Sequence, residues 1–132
     1  MSLEKKYHTG VIWQDFQHSE LVSHFLKLKQ AREDEGNKDA FRFAVAFLSM
    51  YVHHHLKLEE EYMDIYQYPE ADAHKKEHKT FIKTLKEFRA KHREYSEAAL
   101  DRLLKEINDW IFNHIFEEDK NLGAFILEAE ES

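Results

Sequence analysis

The chain has 132 residues, a formal net charge of −7, ten histidines, three glycines, one proline and no cysteine. Its length suits one domain with a self-sufficient core. The lack of cysteine excludes disulfides, iron–sulfur clusters, cysteine-type zinc sites and thiol catalysis, and an acidic balance without a basic stripe disfavours nucleic acid. No apolar run nears the roughly 20 residues of a membrane span and the N-terminus lacks the apolar core of a signal peptide, so a cytoplasmic location is expected.

Few glycines and prolines leave few turns, and the abundance of Ala, Leu, Glu, Lys, Arg and Gln favours helix; the class predicted is all-α. Residues 1–14 lack periodicity and read as an N-terminal arm. Asp15 is a candidate cap for a first helix over about 16–34, with His18, Leu21, Phe25 and Leu28 inward. The segment Glu33-Asp34-Glu35-Gly36-Asn37 reads as a turn. A second helix is predicted over about 38–67, with Phe41, Val45, Leu48, Val52, His55, Glu59 and Tyr62 or Met63 on its inner stripe. Tyr68-Pro69 stops it, because a residue before proline avoids the α region. The third helix, about 70–93, carries His74, His78, Phe81, Leu85, Phe88 and His92 inward. The fourth, from about 97 to 119 or beyond, follows a candidate Ser96 cap and carries Leu100, Leu103, Ile107, Trp110 and His114. Four helices with short links pack most simply as an antiparallel up-down-up-down bundle.

The inner stripes contain residues that do not belong in an apolar core. His18, His55, Glu59, His74, His78 and His114 all fall on them, where each costs several kcal/mol (about 2–7) unless paired or bound to metal. A single histidine on such a stripe is more often a satisfied core residue than a ligand. Six, with one at least on every helix, point to a shared site. His55 with Glu59, and His74 with His78, are spaced i, i+4 and share a helix face. In an antiparallel bundle all six positions lie at the same end. His8, His24, His53, His54 and His92 read as surface or incidental.

Imidazole and carboxylate together suit iron, zinc, copper or manganese. The cluster offers more ligands than one tetrahedral zinc needs, so two metals fit better. Ferritin-like di-iron bundles use Glu-x-x-His pairs and mostly carboxylates, whereas this cluster has no such pair and is nitrogen-rich.

Gly10-Val11 with Asp15, Gln17 and His18; His55-Leu56 with Glu59-Glu60 and Met63; Tyr68-Pro69 with His74-Lys75-Lys76-Glu77-His78; and Trp110 with Asn113, His114-Ile115 and Asp119 form an ordered series. This series resembles the motifs of the hemerythrin family over nearly the whole chain. Leu56 stands where the family often has phenylalanine, and Gln14 where an aliphatic residue is common; neither is expected to touch a ligand. The resemblance implies that His74, His78 and His114 bind one iron, His18 and His55 a second, and Glu59 and Asp119 bridge them, together with hydroxide or oxide. Asp119 enters only through the resemblance. It lies five residues beyond His114, off its face in an ideal helix, and a local widening of the helix would be needed to bring it in.

The implied function is reversible dioxygen binding at the second iron, left one ligand short, for carriage, storage or delivery. Leu21, Phe25, Trp110, Ile111 and Ile115 are candidates to line a dry pocket there. A dioxygen or redox sensor acting on a separate partner, or an enzyme handling peroxide or nitric oxide, are the alternatives; the sequence names no protein partner. A binding protein is expected rather than a catalyst. Glu60 and His54, the acid–base groups nearest in sequence, are expected to face outward.

Overall fold

The computed structural model describes residues 7–33 and 38–131. Of the turn expected at Glu33–Asn37, Glu33 ends the first helix and residues 34–37 lie outside the described residues, as do residues 1–6 of the arm. The described residues form a four-helix bundle without strands: α1 (Ile12–Glu33), α2 (Lys38–Tyr66), α3 (Ala71–Lys91) and α4 (Glu97–Trp110). The last helix continues through a π-helical segment, Ile111–Asp119, into α5 (Lys120–Glu131). α1 packs beside α2 and α4, and α2 beside α3, so α2 and α4 stand on the bundle diagonal. Among the described residues no helix is long and apolar enough to cross a membrane.

Local chemistry sets the helix ends. The Ser96 side chain accepts from the Ala99 N–H at 3.0 Å and caps α4. α2 ends where Gln67 takes a positive φ of 54° ahead of Tyr68-Pro69. α1 starts four residues before the boundary Asp15 suggests. Asp15 lies within its first turns and reaches back, accepting from Thr9 N at 2.7 Å, Thr9 Oγ1 at 3.1 Å and Gly10 N at 3.0 Å. A carboxylate just inside a helix start can thus hold the N–H groups of the chain leading into it, where one ahead of the start would serve those of the first turn.

Periodicity leaves one ambiguity in α2 that packing resolves. From Phe41 through Leu48 to His55, an alternating three–four spacing can pass through Val45 and Val52 or through Ala44 and Tyr51. Ala44 and Tyr51 take the buried places, and Val45 and Val52 are half-buried. Both series obey the helical repeat, so only the neighbours decide.

The buried residues fall into two apolar clusters. The larger, built on Leu21, Leu48, Leu85, Leu100, Leu103 and their neighbours, fills most of the bundle. The smaller joins Val11, Met63, Leu122 and Ile126 beneath the N-terminus of α1 and the end of α2. The polar cluster lies between them.

Gly123 allows α5 to close on the start of α1. A Cβ there would lie 2.5 Å from Thr9 Cβ and 2.8 Å from Gln14 Oε1. Alanine in a helix is ordinarily worth about 1 kcal/mol over glycine, but overpacking of this kind costs about 1–3 kcal/mol. Gly123→Ala is therefore expected to lower the thermal midpoint, whereas Asn121→Ala, on the exposed face of the same helix, leaves it unchanged or raised.

Candidate metal centre

The first turns of α1 and α3, the end of α2 and the π segment bring seven polar side chains to one level of the bundle. His18, Glu59, His78 and Asp119 have no exposed surface, and His55, His74 and His114 have 2% or less. They form two groups with converging ligand atoms: His74, His78 and His114 on one side, His18 and His55 on the other, with Glu59 and Asp119 common to both.

The two carboxylates divide their oxygens between the groups. Glu59 Oε2 lies 3.1 Å from His55 Nε2 and Asp119 Oδ2 lies 2.9 Å from His18 Nε2. Glu59 Oε1 lies 3.2 Å from His78 Nε2, and Asp119 Oδ1 lies 2.9 Å from both His74 Nε2 and His114 Nε2. Despite this closeness, Nε2 of His55, His74, His78 and His114, Oε1 of Glu59 and Oδ1 of Asp119 have no hydrogen-bond partner. They aim at common points rather than at one another. Buried polar atoms left so are rare unless another group satisfies them, and imidazole nitrogens with shared carboxylates are a donor set that suits metal.

Asp119 reaches the cluster because the helix widens. In an α-helix five residues turn about 500°, leaving Asp119 about 140° from His114. Residues Ile111–Asp119 are instead π-helical, and His114 and Asp119 both point inward. Such segments recur at functional sites.

Hydrogen bonds behind the rings fix their orientation. Three of the five rings donate outward from Nδ1: His55 to Gln17 Oε1, His78 to Glu60 Oε2 at 2.9 Å, His114 to Glu77 Oε1 at 2.9 Å, whereas Nδ1 of His18 and of His74 has no partner. In those three the bond sets the tautomer that turns Nε2 to the centre. Glu60 therefore does not simply face outward, as its place in the sequence suggests; it is half-buried and holds His78. His53 and His54 are exposed.

Gln14 also departs from expectation. It is fully buried, and its side-chain amide donates to Glu59 Oε2 at 2.9 Å and to the Asp119 carbonyl at 3.3 Å. It thus touches one of the shared carboxylates. The missing signal was the true start of α1, which places Gln14 one turn before His18 on the same face. Leu56 is buried in the large cluster. Of the candidate pocket residues, Leu21, Trp110, Ile111 and Ile115 are buried and Phe25 is half-buried, all in the apolar cluster adjoining the centre.

The carboxylates set the charge of the metal-free centre. Burial alone would push the His55 and His74 pKa values down, but Glu59 and Asp119 override it and raise them to about 9 and about 10. Burial alone would raise Glu59 and Asp119, yet the surrounding imidazoles hold both well below the usual carboxylate range. A histidine raised above its unfolded value of about 6.5 stabilises fully below that pH and ceases to as pH passes its folded pKa. The metal-free protein is therefore expected to lose stability between about pH 6.5 and pH 9–10, read from urea midpoints. The carboxylates act oppositely, their contribution disappearing as pH falls below about 4. Metal displaces the protons, so the loaded protein is expected to lack the alkaline decline. Glu77→Ala, which frees the His114 ring, is expected to weaken metal binding about 10–100-fold in a chelator competition, while Glu61→Ala, on the exposed face of α2, changes it little.

Comparison with known proteins gives the family. Residues 9–126 match the family model of the hemerythrin HHE cation binding domain. A bacteriohemerythrin of Pseudomonas aeruginosa (strain PAO1) is 31% identical over 111 residues, covering 84% of this chain and 71% of that protein. Bacteriohemerythrins of Stenotrophomonas maltophilia and Clostridium acetobutylicum are 37% and 34% identical over 70 and 77 residues. Those two matches cover 53% and 55% of this chain, and 45% and 57% of the relatives, so about half of each relative's length is spanned. Carrying that domain over nearly its whole length, the chain belongs to the hemerythrin family.

Proposed function

We infer that the protein holds a pair of iron ions and binds dioxygen reversibly at one of them. The observation that carries this reading is the unequal division of donors around two shared carboxylates. One group offers three imidazoles and two carboxylate oxygens, the other two imidazoles and two carboxylate oxygens. With about six positions on each iron and one shared hydroxide or oxide, the His74–His78–His114 side would be filled and the His18–His55 side would keep one position open. An open position is what separates a metal site that takes up an exogenous ligand from one that only braces a fold.

The iron pair would supply the electrons and Lewis acidity that dioxygen binding needs. The chain's residues do the rest. The five imidazoles and two carboxylates would bind and space the ions. Gln17, Glu60 and Glu77 orient the rings. Leu21, Ile111 and Ile115 belong to the apolar cluster alongside, where they exclude bulk water and so disfavour irreversible oxidation. The relatives named bacteriohemerythrin support this reading, which makes the protein a binding protein rather than a catalyst.

The test is an absorption spectrum of iron-loaded protein, reduced without air and then exposed to it. Two irons per chain and a visible charge-transfer band that disappears when dioxygen is withdrawn are expected. A band that never forms, or irreversible conversion to the ferric form, would overturn reversible binding; failure to hold two irons would overturn the ligand assignment.

A further inference from the structure

The layer of side chains directly inside the cluster is not wholly apolar. Tyr51 lies one turn before His55 on α2, and its ring stacks on that imidazole, with centroids 4.7 Å apart and planes 16° apart. The residue is 4% exposed, and its hydroxyl is buried with no hydrogen-bond partner. Nε1 of Trp110 is likewise buried and unpartnered. It approaches the Tyr51 hydroxyl from the diagonal helix α4, and its ring stacks on His114 at 3.8 Å. The two side chains therefore face each other across the bundle axis beneath the cluster without a formed hydrogen bond between them. Leu21, Phe81 and Ile111, one turn inward from His18, His78 and His114, share their apolar cluster.

Leaving a buried polar group unsatisfied costs about 1–3 kcal/mol, and two such atoms side by side need an explanation. Their chemistry is directional. An indole N–H can only donate, whereas a phenol both donates and accepts. When the indole donates to the phenol oxygen, the phenol proton needs another acceptor, and Leu21, Phe81 and Ile111 offer none. Because Tyr51 stacks on His55, its ring lies against the side of the centre that has the fewer ligands.

We propose that the Tyr51 hydroxyl is the hydrogen-bond donor for a small anionic, acceptor-bearing ligand at the His18–His55 side of the centre, with Trp110 Nε1 holding the phenol oxygen in place. This rests on the two-iron reading above and adds a selectivity to it. Small ligands that present a charged lone pair inward are held, and those without one gain nothing from the layer beneath.

Azide is the probe, and the iron-loaded ferric protein is titrated with it. Tyr51→Phe removes one oxygen and keeps the ring stack, while Tyr66→Phe, whose hydroxyl donates to Glu130 at the surface, is the control. Tyr51→Phe is expected to raise the azide dissociation constant about tenfold, with iron content and thermal midpoint unchanged and Tyr66→Phe like wild type. The infrared stretch of bound azide is expected to shift in heavy water in the wild type and not in Tyr51→Phe. Unchanged azide affinity in Tyr51→Phe, or a heavy-water shift that persists there, would overturn the role of Tyr51 while leaving the two-iron reading intact. A wild-type protein that holds no iron pair or binds no azide would overturn that reading and the proposal with it.

Discussion

Glu59 and Asp119 lie without exposed surface in the middle of the bundle, each directing one oxygen to either side. Burying a carboxylate costs several kcal/mol after relaxation, and two close together repel. Their compensation is a ring of five imidazoles, and much of the fold serves to hold that ring in place. The helices must deliver their histidines at one height, which antiparallel packing does. The rings must present Nε2 inward, which Gln17, Glu60 and Glu77 enforce for three of them. Water must stay out, which the apolar clusters above and below ensure.

The last helix meets a conflict that a regular α-helix cannot resolve. It has to turn Trp110, Ile111, His114 and Ile115 inward, then Asp119, then Leu122 and Ile126. The π segment takes up the phase difference, so Asp119 joins His114 at the centre while α5 still meets the smaller apolar cluster. The absence of a side chain at Gly123 brings α5 against Thr9 and Gln14. Gln14 in turn donates to Glu59 and to the Asp119 carbonyl. The widened turn, the glycine contact and the buried amide thus act together on the shared carboxylates.

Unequal donor numbers on the two sides give the centre a direction. Under the proposed reading, the side with three imidazoles would hold its metal with no position to spare and the side with two would exchange a ligand. The layer beneath differs correspondingly, with unpartnered polar atoms on Tyr51 and Trp110 set among aliphatic and aromatic neighbours. Dry surroundings strengthen any hydrogen bond made there, since the competing solvent is absent.

The sequence by itself determined the helical class, the bundle and six of the seven converging side chains. Each of those rests on local periodicity, and a polar residue on an apolar stripe is visible without a structure. Asp119 was legible only through resemblance, because helix widening breaks the periodicity that a stripe depends on. Tyr51 was masked by a second series, through Val45 and Val52, that fits the same repeat; only the space between the packed helices chose between them. Gln14 is hidden because Asp15 fits a cap ahead of a helix as well as a place inside its first turn, and only the contacts with Thr9 and Gly10 distinguish the two. Tertiary structure alone decided how the carboxylate oxygens divide and which outer groups hold the rings, since these depend on distances between helices, which no spacing along one chain encodes.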